Sequence, residues 1–155
     1  MRKRALSVLA VAVAVGLMST VLFAPAASAA PKELTARLTG EKEVGTQGDA
    51  NGSGAAIITT QWKKRKVCFS LLWRGLGPVV AAHIHAGTRT VAGDVVVGLY
   101  VGNELSKNLR SIGGCVKNVD RGLIAKINQN PKRYYVNIHT RGYPDGAIRG
   151  QLKTT

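Results

Sequence analysis

Three histidines, His83, His85 and His139, are the side chains best equipped for chemistry in this chain. His83 and His85 are two apart, so in a strand they project from the same face while Ile84 faces the other way. His139 ends a second candidate strand, Tyr134 to His139. Neutral imidazoles on neighbouring strands can converge on one ion, and three of them suit Cu(II) best among the common divalent ions. Copper is therefore the cofactor this set implies, with affinity falling below pH ~6.5, where free imidazole takes up a proton. The competing reading makes the same rings architectural, their N–H groups tying loops to backbone carbonyls in a half-buried site.

Cys68 and Cys115 are the two cysteines, 47 positions apart and with no C-x-x-C between them. In an oxidising compartment an isolated pair is expected to be joined, with Cα atoms roughly 4.4–6.8 Å apart. Lys63, Lys64, Arg65 and Lys66 form the one dense basic run, a candidate anion-binding patch that also reads as a solvated turn before a strand. Trp62 and Trp73 flank it and could stack on sugar rings, although Trp73, at a strand's end, suits the core. No G-x-S-x-G serine and no Gly-rich phosphate loop ahead of a helix is found, and the eight carboxylates are dispersed. An enzyme is not the expected reading.

Short alternating segments must position these residues. Leu34, Ala36 and Leu38 share one face of a first strand, and Glu41 to Gly54 is a polar, Gly-rich loop with a turn near Asn51-Gly52. Strands are predicted over Ala55–Thr60, Val67–Trp73, Val79–His85, Val95–Val101, Tyr134–His139 and Ala147–Leu152. Leu123, Ile124 and Ile127 have helical spacing between Asp120, as N-cap, and the stop at Asn130-Pro131. Tyr143-Pro144-Asp145-Gly146 reads as a tight turn with positive φ at Gly146. The sum is an all-β fold, a Greek-key, immunoglobulin-like β-sandwich of about seven to eight strands with one short helix.

The N-terminus carries a different signal. Arg2, Lys3 and Arg4 precede an apolar, Ala-rich run from Ala5 to Phe23, and Ala27-Ser28-Ala29 has the small-x-small pattern of a cleavage site. Residues 1–29 are thus expected to be a signal peptide and 30–155 one exported domain, with no transmembrane segment after cleavage. Losing Arg2, Lys3 and Arg4 leaves 19 basic against 8 acidic side chains, a charge of +11. Such a field favours anionic partners: cell-surface polymers such as teichoic acids, phospholipid head groups, acidic polysaccharide, or nucleic acid without sequence preference. Scattered charge is also what solubility alone would give.

Three motifs in order carry a resemblance: Ala81-Ala82-His83-Ile84-His85-Ala86-Gly87, Tyr135-Val136-Asn137-Ile138-His139-Thr140, and Tyr143-Pro144-Asp145-Gly146-Ala147-Ile148-Arg149-Gly150-Gln151-Leu152. With them the chain resembles the CHRD family, the domain named from chordin and found in many bacterial exported proteins. The resemblance spans nearly all of 30–155. It implies a secreted β-sandwich that acts as a non-enzymatic binding or structural module toward a cell surface or another extracellular protein. A fainter similarity is to the copper site of Cu/Zn superoxide dismutases, in which His83, His85 and His139 would match three of four copper ligands. The fourth, metal-bridging histidine and the His-rich zinc loop have no counterpart here, so a dismutase cycle is not implied. Arg149 has only a loose counterpart in the arginine that steers the dismutase's substrate.

Overall fold

The computed structural model describes residues 30–155. The leader expected over 1–29, with its cleavage site, lies outside the described residues. Nine strands carry the fold: β1 Lys32–Thr39, β2 Ser53–Gln61, β3 Lys66–Arg74, β4 Val79–Ala86, β5 Val95–Val101, β6 Ser111–Val116, β7 Tyr134–Thr140, β8 Tyr143–Gln151 and β9 Lys153–Thr154. One helix, α1 Arg121–Gln129, joins β6 to β7. All pairings are antiparallel, in the order β5-β4-β7-β8-β1-β2-β3-β6, with β9 added beside β1.

The sheet folds over on itself, and its edges β5 and β6 come close together, which makes a nearly closed sandwich. The halves meet at a narrow seam where Thr39 of β1 pairs with Arg149 of β8. Connections from β3 to β4, β5 to β6 and β6 through α1 to β7 cross between the halves in Greek-key fashion. The expected all-β sandwich is the fold that forms.

Its core follows from the alternation. Leu34, Leu38, Ile58, Val67 and Leu71 of one half meet Ala82, Ile84, Val136, Ile138 and Ile148 of the other, all fully buried. Each of these side chains other than that of Ala82 contributes roughly 1.5–3 kcal/mol on leaving water. The helix adds Ile124 and Ile127. Asp120 caps it as expected, its carboxylate accepting the Leu123 N–H at 2.8 Å. At its other end, the Asn128 carbonyl accepts from Lys32 Nζ at 2.5 Å, which docks the helix beside β1.

Two expectations need correction. Tyr143-Pro144-Asp145-Gly146 is not a turn: Arg141-Gly142 turns the chain, and β8 starts at Tyr143. Gly146 does have positive φ, 146°, but inside the strand and near the slip in β7–β8 register between Ile138 and Thr140. A side chain there would also strike Asn137 and Glu43, its Cβ falling 2.5 Å from Asn137 Nδ2. The second correction is β6, Ser111–Val116, an edge strand that the pattern did not foretell.

Candidate metal centre

The inner faces of β4 and β7 are the core, so the odd-numbered residues point outward. On β4 these are His83 and His85; on β7 they are Tyr135, Asn137 and His139; on β8 they are Arg149 and Gln151. Register sets them side by side, with Ala81 opposite His139, His83 opposite Asn137 and His85 opposite Tyr135. Bulges break the β4–β5 ladder just before each histidine, between Ala82 and His83 and between Ile84 and His85. Such bulges re-aim side chains and are frequent beside functional sites.

The three imidazoles come together. Their candidate ligand atoms all lie within 4.8 Å of one another. Some point is therefore within about 2.8 Å of all three, against metal–nitrogen bonds of about 2.0–2.1 Å. Binding would therefore have to draw each nitrogen inward by up to about 0.7 Å. The tightest edge, His83 Nδ1 to His139 Nε2, is 3.1 Å.

Backbone carbonyls choose the tautomers of two rings. His85 Nδ1 lies 2.8 Å from the Gly93 carbonyl and His139 Nδ1 lies 2.7 Å from the Pro144 carbonyl. A carbonyl only accepts, so both Nδ1 atoms carry hydrogen and both Nε2 atoms present lone pairs. This is how outer partners usually orient metal-ligating histidines. His85 Nε2 is buried and has no hydrogen-bond partner. Buried polar atoms without partners are few in native folds; Asn137 Oδ1 and Thr39 Oγ1 are the other side-chain examples among the described residues.

All three rings are held neutral. Burial lowers the His83 pKa to about 4, and His139 and His85 push it the same way. Burial also lowers His85 against the pull of the Gly93 carbonyl, with His139 and Arg149 adding to the decrease and Asp94 opposing it. For His139 burial again dominates, over the raising effects of the Pro144 carbonyl and Asp145. The proton thus competes with a metal at lower pH than the sequence alone suggested.

A stack of side chains holds the site. The Tyr135 ring lies parallel to His85, centroids 4.7 Å apart, and the Arg149 guanidinium carbon sits 3.5 Å from the Tyr135 centroid. The Tyr135 hydroxyl meets the Gly93 N–H at 3.2 Å and so steadies the residue whose carbonyl fixes His85. Arg149 Nη2 donates to the Thr88 and Val91 carbonyls at 2.8 and 3.1 Å, and Gln151 Nε2 donates to the Gly87 carbonyl at 2.9 Å. Loop 87–94 is thereby pinned over the histidines. Gly93 has no substitute there, because a Cβ would lie 1.6 Å from the Ala86 carbonyl oxygen. Behind, Asn137 Nδ2 donates to Glu43 Oε1 at 2.8 Å, and burial raises the Glu43 pKa to about 7 despite the attraction of Arg149.

Tyr135, Asn137, Glu43 and Gly93 were not singled out from the sequence. The signal for the first two was the alternation itself, which puts polar residues on His139's face of a fully buried strand. The other sequence candidates separate from this site. Cys68 and Cys115 form the expected disulfide, directly opposite each other in β3 and β6. Their Cα atoms are 3.9 Å apart, below the expected range and closer than the roughly 4.5 Å of a non-hydrogen-bonded pair in an antiparallel ladder. Lys63, Lys64 and Arg65 make the β2–β3 turn, where Arg65 has positive φ and reaches the Val119 carbonyl, while Lys66 opens β3. Arg121 sits 5.3 Å over the Trp62 ring, and Trp73 is core.

Residues 34–152 match the CHRD domain. Neither a curated protein nor a solved structure matches the chain.

Proposed function

The chain belongs to the CHRD domain family, and from that premise we propose that it is a secreted, non-enzymatic binding module whose ligand is a divalent transition metal, Cu(II), held by His83, His85 and His139. The observation that carries the reading is His85 Nε2. It is buried and unpaired, and its tautomer is fixed by Gly93 so that a lone pair faces a shared space with two other imidazole nitrogens. His139 has both ring nitrogens partnered, Nδ1 by the Pro144 carbonyl and Nε2 by His83 Nδ1, so the unpaired His85 Nε2 is what a purely architectural role leaves unexplained. The affinity order of divalent ions and the all-nitrogen donor set select copper. Secretion accords with the disulfide and with the extracellular character of the family. Among the described residues no helix is long and apolar enough to cross a membrane.

His83 is the most exposed of the three ligands, so solvent and ion reach the site from its side. Three protein ligands leave coordination positions for water or a partner's side chain. The residues around them orient and exclude: Tyr135 covers one face of His85, and loop 87–94 shields the site under Arg149 and Gln151. Calorimetric titration of Cu(II) tests the reading. One ion per chain should bind the wild type and none the His85→Ala variant, with both proteins folded by circular dichroism. Equal heats from the two, or none from either, would make the histidines architecture.

A further inference from the structure

A concavity that none of the three histidines lines has Arg149 in its wall. It has a volume of about 430 Å³ and is lined by six cations: Arg37, Lys42, Arg89, Lys132, Arg149 and Lys153. They come from β1, the turn after it, loop 87–94, the segment before β7, β8 and β9. No carboxylate lines the pocket, and among the described residues the only ion pair is Arg141 with Glu104, elsewhere. Arg37 and Arg89 add to burial in lowering the Lys42 pKa, so these charges feel one another. Gathering six cations with only Glu41, acting on Lys42, and Glu43, acting on Arg149, to offset them is unfavourable, and a fold that does so creates a strong local field for an anion.

We propose that this pocket binds phosphate-bearing anions, specifically a ligand with two or more phosphoryl groups. Its volume is at the small end of ligand sites, which run from roughly 300 to 1,000 Å³, so the charge to be matched must be compact. Phosphoryl groups supply that density, and the guanidinium forks of Arg37 and Arg89 match their oxygens in pairs. Arg149 is buried and held by the Thr88 and Val91 carbonyls, so it serves as a fixed positive floor. Lys42 is likewise held, its Nζ donating to the Arg37 carbonyl at 2.6 Å. The run Lys63 to Lys66, the conspicuous basic stretch of the sequence, contributes nothing to the lining.

Two sources offer this chemistry, a free polyphosphate and a phosphodiester-linked surface polymer. The test titrates tripolyphosphate and a short glycerol phosphate oligomer into chelator-treated protein by calorimetry, with polyglutamate of equal charge as the carboxylate comparison. Saturable binding of at least one phosphate ligand is expected, weakening as salt rises. The tighter of the two identifies the source. The double variant Arg89→Glu, Lys153→Glu should bind at least tenfold more weakly, while Lys63→Glu, Lys64→Glu should change affinity by no more than about twofold. If reversal disturbs the fold by circular dichroism, Arg89→Gln, Lys153→Gln replaces it, with a loss of at least threefold expected. Equal affinity for polyglutamate, equal losses from the two sets of variants, or no saturable binding would overturn the proposal.

Discussion

Copper binding should persist to a pH at which ordinary histidines would release the metal. An imidazole with the reference pKa of 6.5 is neutral in about one molecule in eleven at pH 5.5. Three such ligands would together lower the apparent affinity about a thousandfold between pH 7.5 and 5.5. In this fold burial and the two neighbouring rings hold His83 at about 4. At pH 5.5 it would be about 97% neutral, so its share of that loss disappears. Burial lowers His85 and His139 too, and their lone pairs are already turned inward by Gly93 and Pro144. With the His83 share removed, even unshifted His85 and His139 would cost no more than about a hundredfold, so the apparent dissociation constant should rise by clearly less than that from pH 7.5 to 5.5. A competition titration against a chelator of known protonation constants measures this, with His85→Ala as the blank. A loss near a thousandfold by pH 5.5 would refute the argument, since it would mean that the rings titrate as if exposed.

The remaining expectations concern stability. Glu43 is protonated more readily in the fold than in the unfolded chain, at about 7 against 4.5, so the stability it contributes is complete below 4.5 and is lost as pH rises through 7. Glu43→Gln keeps an acceptor for Asn137 without the buried charge. It should raise the urea midpoint at pH 8 and leave it nearly unchanged at pH 4; a lowered midpoint at pH 8 would show instead that the attraction of Arg149 dominates. For the disulfide, unreduced and denatured protein should have no thiol reactive to titration, and two per chain would dispose of the bond. Reduction should cost about 4 kcal/mol for a loop of this length, so a change below ~1 kcal/mol would contradict the chain-entropy argument.

The sandwich was legible because its strands alternate cleanly. Leu34, Ala36 and Leu38, or Val136 and Ile138 against His139, announce their faces without any knowledge of partners. β6 was not legible, since Ser111-Ile112-Gly113-Gly114-Cys115-Val116 has two glycines and only half-buried Ile112 and Val116 to mark an inner face. The start of β8 was misread for a related reason. Pro144-Asp145-Gly146 has the composition of a turn, yet the positive φ of Gly146 is absorbed by an irregular stretch of strand. The histidine trio could be read from spacing and strand ends. Its tautomers could not, because they depend on carbonyls of Gly93 and Pro144 that only the folded loops bring into reach.

Charge shows the same limit more sharply. Sequence draws the eye to Lys63-Lys64-Arg65-Lys66, where contiguity looks like purpose, but the β2–β3 turn exposes Lys63 and Lys64, ties Arg65 to the Val119 carbonyl and leaves Lys66 half-buried at the start of β3. The six cations that do share a pocket are scattered from position 37 to position 153 and converge only through the β1–β8 seam. Arg149 belongs to both regions of interest. It contributes to the floor of the basic pocket, stacks on the tyrosine that stacks on His85, and secures the loop whose Gly93 carbonyl orients that ring. An isolated buried guanidinium is costly, and here the cost is offset by two carbonyls and an aromatic face rather than by a carboxylate within ion-pair distance. Its net positive charge is therefore left in place, felt by an anion on one side and by the imidazoles, whose protonation it opposes at His85, on the other.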